Sequence, residues 1–249
     1  MTEEEIAACA EALFRARRSG QLIEALPVTP SSVAEAHVIQ DRVAALLGEP
    51  VGAFKAAAPP NQEPTRGLIY ARTIRQSPAR FAPAEAPHFG VEGEVAFRFT
   101  RDFAPRDEAY AREAVAAAVV ALPTIEVVAG RFQAPRSRPT LEQLADCTIN
   151  AGLVCGQERR DWSDLDMTQL HVTLSVNGKP VLERNGGHPT GDPLGVAVAL
   201  VNMMRKARGV TAGQIVTTGS WTGLMFLKAG DRCTVRFDAL GEAEVVFDG

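Results

Sequence analysis

The chain is short of the features that most often announce a function. Its four cysteines, Cys9, Cys147, Cys155 and Cys233, form no CxxC pair and have no histidine at ligand spacing. That excludes a zinc finger or ribbon and a disulfide-stapled scaffold, and leaves four small core residues suited to a reducing compartment. A net charge of −4 provides no basic field for nucleic acid or for a membrane surface. The arginine cluster at residues 15–18 sits among helical residues and reads as a solvated face. The longest apolar run, around Ala114 to Pro123, is too short to cross a bilayer. The opening MTEEEIAACA is acidic where a signal peptide is basic. Serine–histidine–aspartate spacing, a nucleophile elbow, a phosphate loop and a dinucleotide fingerprint are all missing. What these absences leave is a soluble, cytoplasmic protein with neither nucleic acid nor membrane as partner. Its 249 residues, 46% of them apolar, can bury a substantial core.

Local signals describe an α+β chain. Thr2 with Glu5 and Ser32 with Glu35 are capping-box patterns, which open helices over 3–18 and 32–47; Gly48 follows as a C-cap. Residues 50–58 read as a short buried strand, and the proline-spaced stretch from Pro78 to Pro87 as a connector. The division expected is a small N-terminal helical and strand region over 1–78, then a larger β-rich domain over 79–249. Within the second part, 91–99 and 123–129 read as strands and 107–120 as an alanine-rich helix. Asn177-Gly178 turns a hairpin over 174–182, and Asp192-Pro193 starts a helix running to Arg208. Alternating segments fill the last forty residues, and no repeat is present.

Chemistry concentrates at a few positions. In PHFGVEGEVAFRF, residues 87–99, period 2 puts Glu92 and Glu94 on one strand face, either as its wet side or as two members of a metal site. Glu126 tips the balance. It stands alone in the apolar run ALPTIEVVAG, where an unpartnered carboxylate would cost several kcal/mol or protonate. A shared divalent cation or nearby Arg131 could partner it. Three carboxylates without a cysteine or histidine cluster suit a hard ion, Mg²⁺ or Mn²⁺. Lys55, in GAFKAAA, has no acidic neighbour in sequence. It is either a snorkelling strand end or a buried lysine with a lowered pKa, fit for proton transfer near neutrality. TTGSWTG at 217–223 offers hydroxyls and backbone N–H groups to a carboxylate, or is only a tight turn. His188 reads as a loop residue, and Arg72 and Arg75 as surface residues.

Taken in order, these pieces resemble the fumarylacetoacetate hydrolase superfamily, and within it the branch of 2-oxopent-4-enoate hydratases and 4-oxalocrotonate decarboxylases. The resemblance rests on VGAFK (51–55), VEGEVAF (91–97), LPTIEVVAGRF (122–132), ADCTINAG (145–152), GDPL (191–194) and GQIVTTGSWTG (213–223). It implies a mixed β-roll or barrel with flanking helices and a small N-terminal region. Carried over by position, Glu92, Glu94 and Glu126 bind Mg²⁺ or Mn²⁺, Lys55 is the active-site lysine, and Ser220, Asn150 and Arg131 face the substrate. Two places depart from the pattern. Ala71 and Arg72 stand where the hydratases carry an acid, and VAGR followed by Asn150 replaces VDSR followed by serine.

The implied activity is that of a metal-dependent hydratase adding water to a 2-hydroxy-2,4-dienoate, a small 2-oxo acid in its enol form. Decarboxylation of a 4-oxalocrotonate-like 2-oxo-enedioate and carbon–carbon hydrolysis of an acylpyruvate are the alternatives. The missing acid also admits a different class, a non-catalytic partner subunit or ligand-binding protein on the same scaffold. The resemblance further implies a homo-oligomer, with room for a complex with a pathway partner enzyme.

Overall fold

The computed structural model describes residues 1–249. Two helices come first, α1 (Glu3–Ser19) and α2 (Val33–Leu47). Thr2 caps α1 with a complete capping box. At α2 only half of the pattern forms: Ser32 accepts from Glu35 N, while the Glu35 carboxylate accepts from Ser31 and the chain's amino terminus. Both helices end on a left-handed glycine, Gly20 and Gly48. They bury Ile6, Cys9, Leu13, Ile39 and Val43 against Phe132 and Leu144 in a core of their own.

Five strands follow: β1 (Val51–Ala57), β2 (Thr65–Tyr70), β3 (Ile74–Gln76), β4 (Ala79–Phe81) and β5 (Gly90–Phe99). After α3 (Arg112–Ala116) come β6 (Val119–Val128), α4 (Thr140–Ala145), β7 (Asn150–Cys155) and the hairpin of β8 (His171–Val176) and β9 (Lys179–Asn185). The chain finishes with α5 (Pro193–Met204), β10 (Ile215–Ser220), β11 (Met225–Phe226), β12 (Arg232–Phe237) and β13 (Gly241–Phe247). Asn177 and Gly178 both have positive φ, as the hairpin signal requires.

The larger sheet runs β2-β1-β10-β5-β6-β7-β3, with β11 added to β5. Its two edges, β2 and β3, are separated in sequence only by the 3₁₀ turn Ala71–Thr73. A sheet whose edges are tied that closely must curl, and the expected mixed roll results. A second sheet, β4-β13-β12-β8-β9, covers one side. Between the two sheets and α5 lies the main core, which holds Phe54, Phe97, Trp221, Phe237 and Phe247. The other face of the curled sheet carries a smaller apolar cluster: Ala53, Ile69, Ala96, Leu122, Leu153, Cys155 and Ile215. All four cysteines are buried. Strands β1 to β3 precede the break expected near residue 78 yet pair within the same sheet as β5 and β10, so that break divides the sequence and not the sheet.

Two expectations need correction. The helix expected over 107–120 exists only as α3, because Val119 and Val120 are drawn into β6 by pairing with Phe99 and Arg98. Sheet pairing outweighs the helical preference of the alanines there. Helix α5 stops at Met204, four residues early, and Gly209 closes its end by donating to Met204 O.

Candidate metal centre and the adjoining cavity

The inner face of the curled sheet changes character along its strands. Two residues on from Ala53 is Lys55; two back from Ala96 is Glu94, then Glu92; beyond Leu122 on the same face come Thr124 and Glu126; beyond Ile215 comes Thr217. The apolar cluster therefore floors a polar one. Register sets the acids against each other: Glu92 is paired directly with Glu126 across β5 and β6, and Glu94 with Thr124. Like charges directly opposite repel, and something must offset them.

Lys55 does so. Its Nζ lies 3.1 Å from Glu92 Oε2 and 3.0 Å from Glu126 Oε1. Glu126 is fully buried and also accepts from Asn150 Nδ2 at 3.0 Å. Glu94, equally buried, accepts from Gly219 N at 2.8 Å, where a bulge in β10 turns the backbone toward it. One carboxylate oxygen from each of Glu92, Glu94 and Glu126 lies within 4.8 Å of the others. The wet-face reading of the Glu92/Glu94 pair fails, because β5 is covered on both sides.

The protonation pattern follows from burial. Burial and the neighbouring Glu126 push Glu94 up to about 8. Glu126 is also raised by burial, against the pull of Lys55. For Lys55 the lowered pKa of the buried-lysine reading is reversed. Burial does press it down, but Glu126, Glu92 and Glu94 outweigh burial and hold it above the ordinary lysine range. Two buried acceptors, Glu94 Oε1 and Glu126 Oε2, have no hydrogen-bond partner. An all-oxygen donor set with orphaned carboxylate oxygens fits a hard divalent cation.

Asn150 is held by an unusual turn. Cys147, Thr148 and Ile149 all have left-handed backbones, with φ of 56°, 54° and 56°. Each costs roughly 1–2 kcal/mol for an L-residue, so the surroundings must hold the turn. Asp146 anchors it by accepting from Arg131 N and Nε, both at 2.7 Å, and from Arg17 at 3.0 Å. Strand β2 passes so close that a Cβ on Gly67 would sit 2.6 Å from Cys147 O. Arg131 thus partners Asp146 and not Glu126. Arg17 corrects the solvated-face reading of residues 15–18: Arg15 and Arg18 are exposed, whereas the Arg17 side chain is only 9% exposed. Helix α1 points this one position inward, toward Asp146.

Arg17, Tyr70, Arg72, Arg131 and Asn150 line a cavity of about 150 Å³; Lys55 and the three glutamates do not line it, and Asn150, bonded to Glu126, is the link between the two. Sequence reasoning missed Arg17, Tyr70 and Asp146, since nothing local ties residue 17 to residue 146. Thr217, whose buried hydroxyl, like that of Ser220, has no partner, lies in the TTGSWTG stretch that the sequence singles out for its hydroxyls. His188 is buried in its turn with Nε2 2.7 Å from Thr218 O, and burial lowers its pKa, so it fixes the β10 loop as a neutral ring.

The chain is similar to known proteins. A 2-keto-4-pentenoate hydratase of Dechloromonas aromatica (strain RCB) is 32% identical over 158 residues, which are 63% of this chain and 59% of that protein. A 4-oxalocrotonate decarboxylase of Pseudomonas putida is 26% identical over 136 residues, 54% of this chain and 51% of that one. These alignments span less than two thirds of the relatives. In overall fold the chain matches 4-oxalocrotonate decarboxylase from Pseudomonas putida G7, a structure complexed with magnesium and adipate, at a TM-score of 0.85 and 20% identity over 99% of this chain and 98% of that one. Residues 48–247 match the fumarylacetoacetate (FAA) hydrolase C-terminal family. The chain belongs to that family.

Proposed function

We propose that the protein is a Mg²⁺- or Mn²⁺-dependent hydratase of a 2-hydroxy-2,4-dienoate, with Glu92, Glu94 and Glu126 as metal ligands. The observation that carries this reading is the convergence of three carboxylates, two of them fully buried, on one point beside Lys55. A divalent cation held there supplies Lewis acidity to a 2-oxo carboxylic acid. The residues do the rest. Asn150 fixes the Glu126 carboxylate through its amide. A cation on the carboxylates would offset the negative charge that holds the Lys55 proton, and Lys55 Nζ could then give that proton up and take one back. The unpartnered hydroxyls of Thr217 and Ser220 stand ready to orient the bound acid. No helix in the structure is long and apolar enough to cross a membrane.

The relatives' names support the hydratase over the decarboxylase, at 32% against 26% identity. The test is turnover. The metal-loaded protein is given 2-hydroxypenta-2,4-dienoate, a 2-hydroxydienoate with a terminal carboxylate, and 2-oxohex-3-enedioate. Loss of dienol absorbance that EDTA abolishes, without CO₂ release, is expected. CO₂ from the third compound with neither dienol consumed would make the protein a decarboxylase. Tight metal binding with no turnover would make it a non-catalytic binding protein.

A further inference from the structure

We infer that His188 is a positioning residue for the metal ligand Glu94, acting through the peptide unit that joins Thr218 to Gly219. This rests on the metal-site reading above and adds to it a side chain from outside the carboxylate cluster. One peptide faces both groups. Its N–H, that of Gly219, donates to Glu94 Oε2 at 2.8 Å, and its carbonyl, that of Thr218, lies 2.7 Å from His188 Nε2. A peptide bond is planar and trans, so its C=O and N–H point in opposite directions. Fixing the carbonyl on one side therefore aims the N–H on the other. The Gly219 N–H is the hydrogen bond that the Glu94 side chain has, since Oε1 has no partner.

The peptide needs such a hold. Thr218 and Gly219 fall in the register shift between β10 and β5, where Thr217 pairs with Ala96 and Ser220 with Glu94, and neither residue between them has a partner. Gly219 has a φ of 119°, and a glycine there tolerates either orientation of the preceding peptide. A flip would turn the Thr218 carbonyl, in place of an N–H, toward the Glu94 carboxylate. The ring is set to prevent it. Thr190 N donates to His188 Nδ1 at 3.3 Å, which places the ring proton on Nε2, facing the Thr218 carbonyl. The imidazole is buried and lies against Trp221, with ring centres 4.6 Å apart. Backbone fit adds to this: a Cβ on Gly187 would sit 2.8 Å from Trp221 O, and one on Gly219 3.1 Å from Pro189 Cγ. Residues 187–189 thus close on the bulge at the peptide's carbonyl end, while Glu94 meets its N–H.

Two amides separate positioning from simple folding of the turn. In His188→Gln the amide reaches as far as Nε2 and can still donate to Thr218 O; in His188→Asn it stops at the level of Nδ1. Calorimetry of Mg²⁺ on the intact protein should place His188→Gln within about threefold of wild type. His188→Asn should bind about tenfold to a hundredfold more weakly, the range for losing an outer partner of a metal ligand. Asp192→Ala, at the end of the same loop and without a bond to His188, should bind as wild type does. Equal affinity in wild type and His188→Asn, or a loss as large in Asp192→Ala, overturns the assignment. A wild type that binds no Mg²⁺ rejects the metal reading instead, and the hold on the peptide is then judged by NMR in EDTA. There the wild-type ring should be the Nε2–H tautomer. The Gly219 amide should exchange slowly in wild type and in His188→Gln, and quickly in His188→Asn while Val216 stays slow. An Nδ1–H ring or fast Gly219 exchange in wild type overturns the proposal without any variant, and slow Gly219 exchange in His188→Asn does so too.

Discussion

Replacing Lys55 by methionine takes the cation out of a group of three carboxylates, two of them inaccessible to solvent. Losing one partner of a buried ion pair costs about 3 kcal/mol or more. Urea denaturation in EDTA should show that loss, and saturating Mg²⁺ should recover most of it. Glu94 makes the site pH-dependent. Its folded pKa is raised to about 8 from an ordinary value of 4.5, so the metal-free fold binds the extra proton in that window. The stability linked to it is complete below about 4.5 and is lost as pH rises through 8. Melting temperature in EDTA should fall across that range, and Mg²⁺ should remove the fall, because the cation takes the proton's place. For the same reason Mg²⁺ affinity, measured by titration, should rise about tenfold per pH unit below 8 and level off above it. A flat profile would mean that Glu94 is already ionised. At this scale the acids were legible: Glu126 stood out as a charge in an apolar run. The protonation of Lys55 was not, because its partners lie 37 and 71 residues away.

Among the elements, strand β2 and the left-handed turn at 147–149 depend on each other. Gly67 is what lets them meet, since a methyl group there would strike the Cys147 carbonyl, which belongs to backbone and cannot swing aside. Gly67→Ala should destabilise the protein by about 1–3 kcal/mol. By displacing the turn that aims Asn150 at Glu126, it should also weaken Mg²⁺ binding. Asp192→Ala is the contrasting variant. Asp192 caps α5 and pairs with Arg112 at the surface, so its loss should cost about 1 kcal/mol and leave Mg²⁺ affinity as it was. Chemical denaturation and calorimetry on both variants separate the two effects. Caps, hairpin turn and strand alternation were readable because each is written within a few consecutive residues. The helix expected over 107–120, which forms only over Arg112–Ala116, shows the limit: its alanines favour helix, and the pairing of Val119 with Phe99 ends it.

The whole molecule is a sheet curled until its edge strands, neighbours in sequence, come together, with a polar cluster seated on an apolar floor. The central strands β5 and β6 are paired along both sides, so their amides should exchange slowest by native-state hydrogen exchange, and those of the exposed edge strand β9 among the fastest. The roll itself was legible only through the resemblance, because strand order is a property of long-range pairing that local pattern does not carry. The cavity beside Asn150 was not legible at all, since α1 supplies one wall and β2 another. All of this converges on whether the carboxylates hold a cation. Calorimetric titration of Mg²⁺ and Mn²⁺ into wild type and Glu126→Gln, with and without oxalate, decides it. The account predicts stoichiometric binding to wild type, tightened by oxalate and lost in Glu126→Gln. Absence of binding to either protein, or equal binding to both, would contradict it.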